Sequence, residues 1–255
     1  MALRNTSADR AGTTALITGG ARGFGRAFGA ALVAEGATVV LIDLDADAVA
    51  QTAAELGASG GHVIGLAADV TDEKRIDEVI AEAARPHGGI DLLINNAGLH
   101  AHAYSRPLVE MGVAKTRRLF EVNVMGTVIC TLAARPLMAG RKGASVINIA
   151  SSAAFQGGGY GNSKLAVIGI TMTFARELAP EGIRVNAIAP GIILTDTIRT
   201  ELPADTIQRV LGMQYLSEEG TEQDIVDAML FLTSSRARFI TGETLRVTGG
   251  YAAGV

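Results

Sequence analysis

A tyrosine and a lysine stand four residues apart in the stretch GGGYGNSK, which runs from 157 to 164. If that stretch opens a helix, Tyr160 and Lys164 share one face and the ammonium can lie beside the phenol. An unperturbed phenol titrates near ~10 and accepts protons poorly at neutral pH until a neighbouring cation favours the phenolate. Lys164 is such a cation, so the pair fits general acid–base chemistry on a hydroxyl or carbonyl. The plain alternative is a surface pair on a first helical turn.

A second group is the stretch TGGARGFG, 18 to 25, lying between an apolar run and the helical pattern RAFGAALVAEG. A glycine turn between strand and helix lets backbone N–H groups and the positive end of the helix meet a phosphate. The spacing of Gly19, Gly23 and Gly25 is neither the G-x-G-x-x-G fingerprint nor a P-loop, and a tight strand-to-helix turn would also use it. Asp43 adds weight. It ends the next apolar run eighteen residues after Gly25 (43 − 25), where a carboxylate can accept the hydroxyls of an adenosine ribose. A 2′-phosphate would meet like charge there, which favours NAD over NADP, although Arg22 in the turn could pair with a phosphate. Asp45 and Asp47 follow closely, so a solvated loop acid is the competing reading of Asp43.

The elements that must hold these groups alternate along the chain. Short β-type runs occur at 13 to 18, 37 to 43, 62 to 68, 90 to 95, 144 to 150, 183 to 189 and 244 to 247. Most are continuously apolar, as expected of strands covered on both faces. Helical periodicity occupies 23 to 35, 46 to 56, 72 to 85, 112 to 139, 161 to 179 and 222 to 235, with a shorter piece at 204 to 213. The expected fold is one doubly wound α/β domain over 1 to 255, a Rossmann fold with a seven-stranded parallel sheet flanked by helices on both faces. Two long irregular stretches, 96 to 111 and 190 to 203, follow strand C-termini, where such sheets bind ligands.

Composition narrows the partners. With 255 residues, 48% of them hydrophobic and a formal charge of -4, the chain can bury a sizeable core and has no basic footprint for nucleic acid or anionic membrane. The uncharged stretch 143 to 163 is too rich in Asn, Gln, Ser and Gly for lipid. Cys130, the single cysteine, excludes an intramolecular disulfide and reads as a buried small hydrophobe. The N-terminus lacks the apolar segment of a signal peptide, so a reducing, cytoplasmic location is expected. His100 and His102 lack a third ligand nearby and read as solvated or pocket-lining residues, so no metal is expected. No G-x-S-x-G elbow points to a hydrolase.

In their order and placement these motifs resemble the short-chain dehydrogenase/reductase family over essentially the whole chain. TGGARGFG is similar to its T-G-x-x-x-G-x-G turn. Further matches are Asp69-Val70, NNAG at 95 to 98, Asn123 in FEVNVMG, Tyr160-x-x-x-Lys164, Pro190-Gly191 with Thr195 following, and ITGETLRVTGG. The resemblance implies catalytic roles for Asn123, Ser151, Tyr160 and Lys164. Tyr160 would exchange the hydroxyl proton, Ser151 would hydrogen-bond the substrate oxygen, and Asn123 would organise a lysine-to-water relay. It implies a dinucleotide site built from Gly19, Arg22, Gly23, Phe24, Gly25, Asp43, Leu44, Asp69, Val70, Asn96, Ala97, Gly98, Tyr160, Lys164, Pro190, Gly191, Ile193 and Thr195, with NAD as cofactor. It also implies a homotetramer assembled through the helices near 118 to 139 and 161 to 179.

Three departures from the family pattern stand out. Phe24 replaces the usual Ile or Leu, and Thr248 replaces the acid of the terminal V-D-G-G. Ser151 precedes Tyr160 by only nine residues (160 − 151) where about a dozen or slightly more is usual. Nine residues span ~30 Å if extended, so the geometry is allowed, but one wall of the substrate cleft should be trimmed. Ser152 is an alternative to Ser151, and a hydroxyl capping the next helix is the plain reading of either. The activity expected is interconversion of a secondary alcohol and a ketone. His100, His102, Tyr104, Phe155, Gln156, Ile192, Ile193 and residues near Met213 would line a mostly apolar cleft for a cyclic or aromatic substrate. The reading from another class is a non-catalytic NAD-binding sensor or scaffold, disabled by the shortened segment.

Overall fold

A computed structural model of the chain describes residues 10–58, 60–99, 104, 106–193 and 204–251. Seven strands form one parallel sheet in the order β3-β2-β1-β4-β5-β6-β7. They are β1 (Thr14–Thr18), β2 (Thr38–Asp43), β3 (Val63–Ala67), β4 (Leu92–Asn95), β5 (Ser145–Ile149), β6 (Arg184–Pro190) and β7 (Thr244–Val247). All seven expected strands are present, with boundaries within two residues. Every residue of β1, β4 and β5 is buried, which accounts for their unbroken apolar runs.

The strand order reverses between β1 and β4, whose register pairs Thr18 with Asn95. That reversal opens a crevice at the C-terminal ends, where this class of sheet takes its ligands. The glycine turn leaves from β1 and the NNAG loop from β4, so topology alone brings these distant segments together.

Helices cover both faces. On one face α1 (Gly23–Ala34), α2 (Ala46–Gly57) and α8 (Glu222–Thr233) bury Phe28, Leu32, Val49, Ile225 and Met229 against the sheet. On the other, α3 (Glu73–Ala84), α5 (Gly126–Met138) and α6 (Gly158–Leu178) bury Ile76, Ile80, Cys130, Ala134 and Phe174. Asp45 and Asp72 cap α2 and α3 by accepting from Ala48 and Arg75 N–H groups, and Thr221 with Asp224 forms a capping box on α8. A shorter helix, α7 (Ala204–Leu211), lies between β6 and α8. No helix among the described residues is long and apolar enough to cross a membrane.

One expected element is corrected. The single helix over 112 to 139 is two helices joined by a wide turn: α4 (Leu108–Phe120), a π-helical turn over Glu121–Met125, and α5. Gly112 lies inside α4 with φ +69° and interrupts its helical geometry, and α4 begins at Leu108, four residues before the expected start. The π-turn inserts its extra residue where Asn123 must face inward, and Asn123 is 1% exposed. α6 likewise begins three residues earlier than expected, at Gly158.

Candidate active site

The glycine turn is shaped by contacts that only glycine allows. Gly19 has φ +63°, and a Cβ there would lie 2.8 Å from the Ala97 Cα. A Cβ on Gly25 would lie 2.0 Å from the Gly19 carbonyl oxygen, so α1 sits directly on the turn that precedes it. Asn96 closes the arrangement by donating its side-chain amide to the Thr18 and Gly19 carbonyls at 3.1 and 2.8 Å. Thr18 Oγ1 in return accepts from the Asn96 and Ala97 N–H groups, both at 3.1 Å. Thr52 of α2 ties down the other side by donating to the Ala21 carbonyl at 2.7 Å.

What this scaffold leaves unfilled is the start of α1. Arg22 at the N-cap makes no capping bond, the first turn carries no acid, and nothing lies within 4 Å of a Cβ placed on Gly23. An uncapped helix start with open space at its mouth fits a diphosphate. Asp43 stands beside it, its Oδ2 accepting from Ala21 N–H at 3.0 Å and its Oδ1 from Asp45 N–H at 3.2 Å. Each carboxylate oxygen keeps a lone pair for a ribose hydroxyl. Leu44 follows at 69% exposed, an apolar surface for a flat ring. These features fit the adenosine diphosphate half of a nicotinamide dinucleotide.

Further along the crevice, Asp69 Oδ1 accepts from the Thr71 amide at 2.9 Å and hydroxyl at 2.8 Å, and Oδ2 accepts from Arg118 at 3.2 Å. Burial acts to raise the Asp69 carboxyl, but these donors outweigh it and hold the group below the usual carboxylate range. Val70 turns into the core against Gly126, where a Cβ would come within 2.7 Å of its Cγ2. Pro190 ends β6, and Gly191 donates its N–H to the Val247 carbonyl at 2.8 Å. The Ile193 side chain is buried in the core against Gly220.

The catalytic candidates converge at the end of β5. Ser151 is extended and caps a one-turn 3-10 helix (Ser152–Phe155), its Oγ accepting from Ala153 N–H at 3.2 Å. The Tyr160 phenol lies near enough to this hydroxyl for Ser151 to pull its titration downward. Ser152 is buried within the turn. Nine residues suffice because Gly157 and Gly158 reverse the chain with φ +82° and +80°. Gly159 and Gly161 then flank the tyrosine: a Cβ on the first would meet Met111 Sδ at 2.7 Å, and on the second the Ala153 carbonyl at 2.3 Å.

Lys164 lies one turn further along α6, 5% exposed, with Nζ donating to the Ile149 carbonyl at 2.7 Å and 5.9 Å from the centre of the Tyr160 ring. Burial lowers this ammonium to about 8. Burial raises the Tyr160 phenol to about 12, against the pull of the Ser151 hydrogen bond. A Cβ on Gly98 would lie 3.2 Å from Asn123 Oδ1 and 3.4 Å from Lys164 Nζ, so the NNAG loop passes close to both. Asn123 Oδ1 accepts from Leu99 N–H at 2.7 Å, and its Nδ2 donates to Ser163 Oγ at 3.1 Å. Ser163 in turn donates to the Tyr160 carbonyl at 2.7 Å.

Thr195, His100 and His102 lie outside the described residues. Phe155 stacks under the Arg246 guanidinium at 4.1 Å, and Gln156 accepts from the Tyr251 hydroxyl at 3.0 Å, so the wall after Ser151 is braced by the segment around β7. Phe24 packs beside Phe28, ring centres 6.2 Å apart. Among the described residues no group of three or more His, Cys, Asp or Glu could hold a metal. Sequence reasoning missed Thr18, Thr52 and Ser163. It also missed a buried chain in which Asn95 donates to Thr131 at 2.9 Å and to Asn148 at 2.8 Å, and Asn148 donates to Thr171 at 2.9 Å. Asn95 and Asn148 interrupt otherwise apolar strands, which was the available signal.

Comparison with known proteins agrees with this geometry. A family model described as Enoyl-(Acyl carrier protein) reductase matches residues 19–252. The sorbitol dehydrogenase of Cereibacter sphaeroides is 39% identical over 254 residues, covering 94% of this chain and 97% of that protein. A 3-oxoacyl-[acyl-carrier-protein] reductase of a Synechocystis strain is 35% identical over 242 residues, covering 92% and 95%. An oxidoreductase structure from Haemophilus influenza, solved with bound NAD, superposes with a TM-score of 0.88 at 26% identity, covering 98% and 99%. The glycine turn, the paired tyrosine and lysine and these likenesses together place the chain in the short-chain dehydrogenase/reductase family of oxidoreductases.

Proposed function

We propose that the protein is an NAD-dependent oxidoreductase that interconverts a secondary alcohol and a ketone, with Tyr160 as general acid and base. The observation that carries this reading is the buried Lys164 ammonium 5.9 Å from the centre of the Tyr160 ring, with Ser151 near the phenol. A bound nicotinamide dinucleotide supplies or takes the hydride. The start of α1 with Gly23 would hold its diphosphate, Asp43 its adenosine ribose, and Lys164 with the Gly98 backbone its reactive half.

The chain's own residues handle the proton. Ser151 donates a hydrogen bond to the substrate oxygen and Tyr160 gives or receives the proton there. The phenol of the free protein is held neutral by burial, so Lys164 must lower it before it can act as base. Both side-chain ends of Asn123 are engaged, by Leu99 and Ser163, which makes Asn123 a brace for the lysine and tyrosine. Any proton relay to solvent would run past its backbone.

Tyr104, Phe155, Ile192 and Met213 favour a cyclic or aromatic substrate. The exposed Met125 and Leu132 on the α4–α5 segment and Leu165 and Met172 on α6 support assembly into a homotetramer. A cytoplasmic location is part of the same reading. The non-catalytic alternative is disfavoured because the shortened segment still brings Ser151 near the Tyr160 phenol. A panel of secondary alcohols with NAD, followed by absorbance of the reduced cofactor, tests the proposal. Reduction on at least one alcohol is expected, whereas tight NAD binding with no turnover in either direction would establish the sensor.

A further inference from the structure

Arg22 is the only basic residue in the turn 18 to 25, and it adjoins Ala21, whose N–H is held by the Asp43 carboxylate. A phosphate on the adenosine ribose would arrive beside it. In the structure the guanidinium is already engaged: Arg22 Nη2 lies 2.7 Å from Asp45 Oδ2. Arg26, one helical turn on, is engaged in the same way by Glu55 at 3.2 Å. Asp45 is itself fixed on two sides. Its Oδ1 accepts from Ala48 N–H at 3.1 Å as the cap of α2, and its backbone N–H donates to Asp43 Oδ1.

We propose that Asp45 is a cofactor-selecting residue, which holds Arg22 against the start of α2 and so denies the 2′-phosphate of NADP its nearest cation. The proposal rests on the NAD reading above and separates two contributions to it. Asp43 supplies hydrogen bonds to the ribose and repulsion to a phosphate. Asp45 withholds an attraction, because a 2′-phosphate gains Arg22 only by displacing a carboxylate that the helix cap keeps in place. Arg22 and Asp45 have side chains 69% and 47% exposed, so the pair is screened and its effect is a modest factor. Removing Asp43 alone leaves Arg22 pinned.

Asp45→Asn is the discriminating variant, since asparagine caps a helix as well as aspartate and the start of α2 is kept. The ratio of kcat/KM for NADP to that for NAD is measured in the unmodified protein, in Asp45→Asn, in Arg22→Gln and in the double variant. Binding of 2′,5′-ADP and 5′-AMP is measured alongside as a readout independent of turnover. The expected result is a rise of roughly three- to tenfold in the NADP to NAD ratio in Asp45→Asn, with tighter 2′,5′-ADP and a gain that fades as salt is raised. In the Arg22→Gln background the same change should give less than about a twofold gain. An equal gain in that background would overturn the proposal, because Asp45 would then act only as one more negative charge. No tightening of 2′,5′-ADP in Asp45→Asn, with NAD preference intact, would overturn it and leave the NAD reading standing. An unmodified protein that binds 2′,5′-ADP better than 5′-AMP would overturn both.

Discussion

Two glycine-rich stretches, 19 to 25 and 157 to 161, each hold four glycines and one aromatic residue and have opposite uses. In the first, Gly19 and Gly23 take positive φ and Gly25 rests on the Gly19 carbonyl, and the product is exposed backbone: an uncapped helix start with empty space before it. In the second, Gly157 and Gly158 take positive φ and Gly159 and Gly161 are pressed against Met111 and the Ala153 carbonyl. There the product is a placed side chain, the Tyr160 phenol, brought near Ser151 across a short segment. Glycine in one place leaves main-chain groups exposed at a helix start, and in the other sets how close two side chains come.

The contrast breaks most sharply at the serine. Ser151→Ala removes the hydroxyl proposed to bind the substrate oxygen beside Tyr160, and turnover should fall on the order of 10²–10³-fold. Ser152→Ala, buried inside the one-turn helix, should cost far less, and the reverse order in steady-state assays would move the oxyanion contact to Ser152. A smaller effect separates the two glycine stretches. Gly25→Ala forces a methyl group onto the Gly19 carbonyl and should weaken dinucleotide binding by about 10–100-fold, as overpacking of 1–3 kcal/mol would do. Gly161→Ala instead forces a methyl group onto the Ala153 carbonyl and shifts Tyr160 relative to Ser151, so kcat should fall by a similar factor while dinucleotide affinity stays within about threefold. Titration calorimetry with parallel kinetics would expose a swap of the two phenotypes, and with it the failure of the comparison.

Stability gives the smallest and most specific effect. Lys164 is depressed from 10.5 to about 8, equivalent to ~3 kcal/mol of burial cost, against which its bond to Ile149 returns ~1 kcal/mol. Lys164→Met should therefore raise the ligand-free Tm by a few degrees at pH 7. The folded pKa lies below the unfolded one, so the unmodified protein gains stability as pH rises from about 8 to about 10.5. The advantage of the variant is full below pH 8 and fades across that window. Tyr160 acts in the opposite sense, since its phenol is raised from 10 to about 12 and stability is lost as pH rises above 10. Thermal unfolding between pH 7 and 10 resolves the lysine effect, and a gap that widened with pH would contradict it.

The strands and the glycine turn were legible because their signals are local: unbroken apolar runs, and glycines immediately after one of them. Asp43 was legible for the same reason, as the last residue of β2. The π-turn was not, since one inserted residue shifts the apolar stripe too little to interrupt the pattern from 112 to 139. Asn95 and Asn148 could be seen as polar residues in apolar strands, but their bond to each other depends on the β4–β5 register, which pairs them directly. Ser163 carried a weaker mark, a small hydroxyl three residues after Tyr160 on the same helix. The pairing of Arg22 with Asp45 needed the approach of α2 to the glycine turn, which no spacing in the sequence encodes.

The central claim is that Tyr160 moves the proton while the glycine turn and Asp43 bind the dinucleotide. Tyr160→Phe removes one oxygen atom and leaves the turn untouched. NAD affinity by calorimetry and hydride transfer in a single turnover, on an alcohol that the unmodified protein oxidises, test both halves in one preparation. The expected result is affinity within about threefold of the unmodified protein and transfer slower by 10²–10⁴-fold, the usual worth of general acid–base catalysis. Transfer within about tenfold of the unmodified rate would contradict the assignment of Tyr160 as the proton-transfer group.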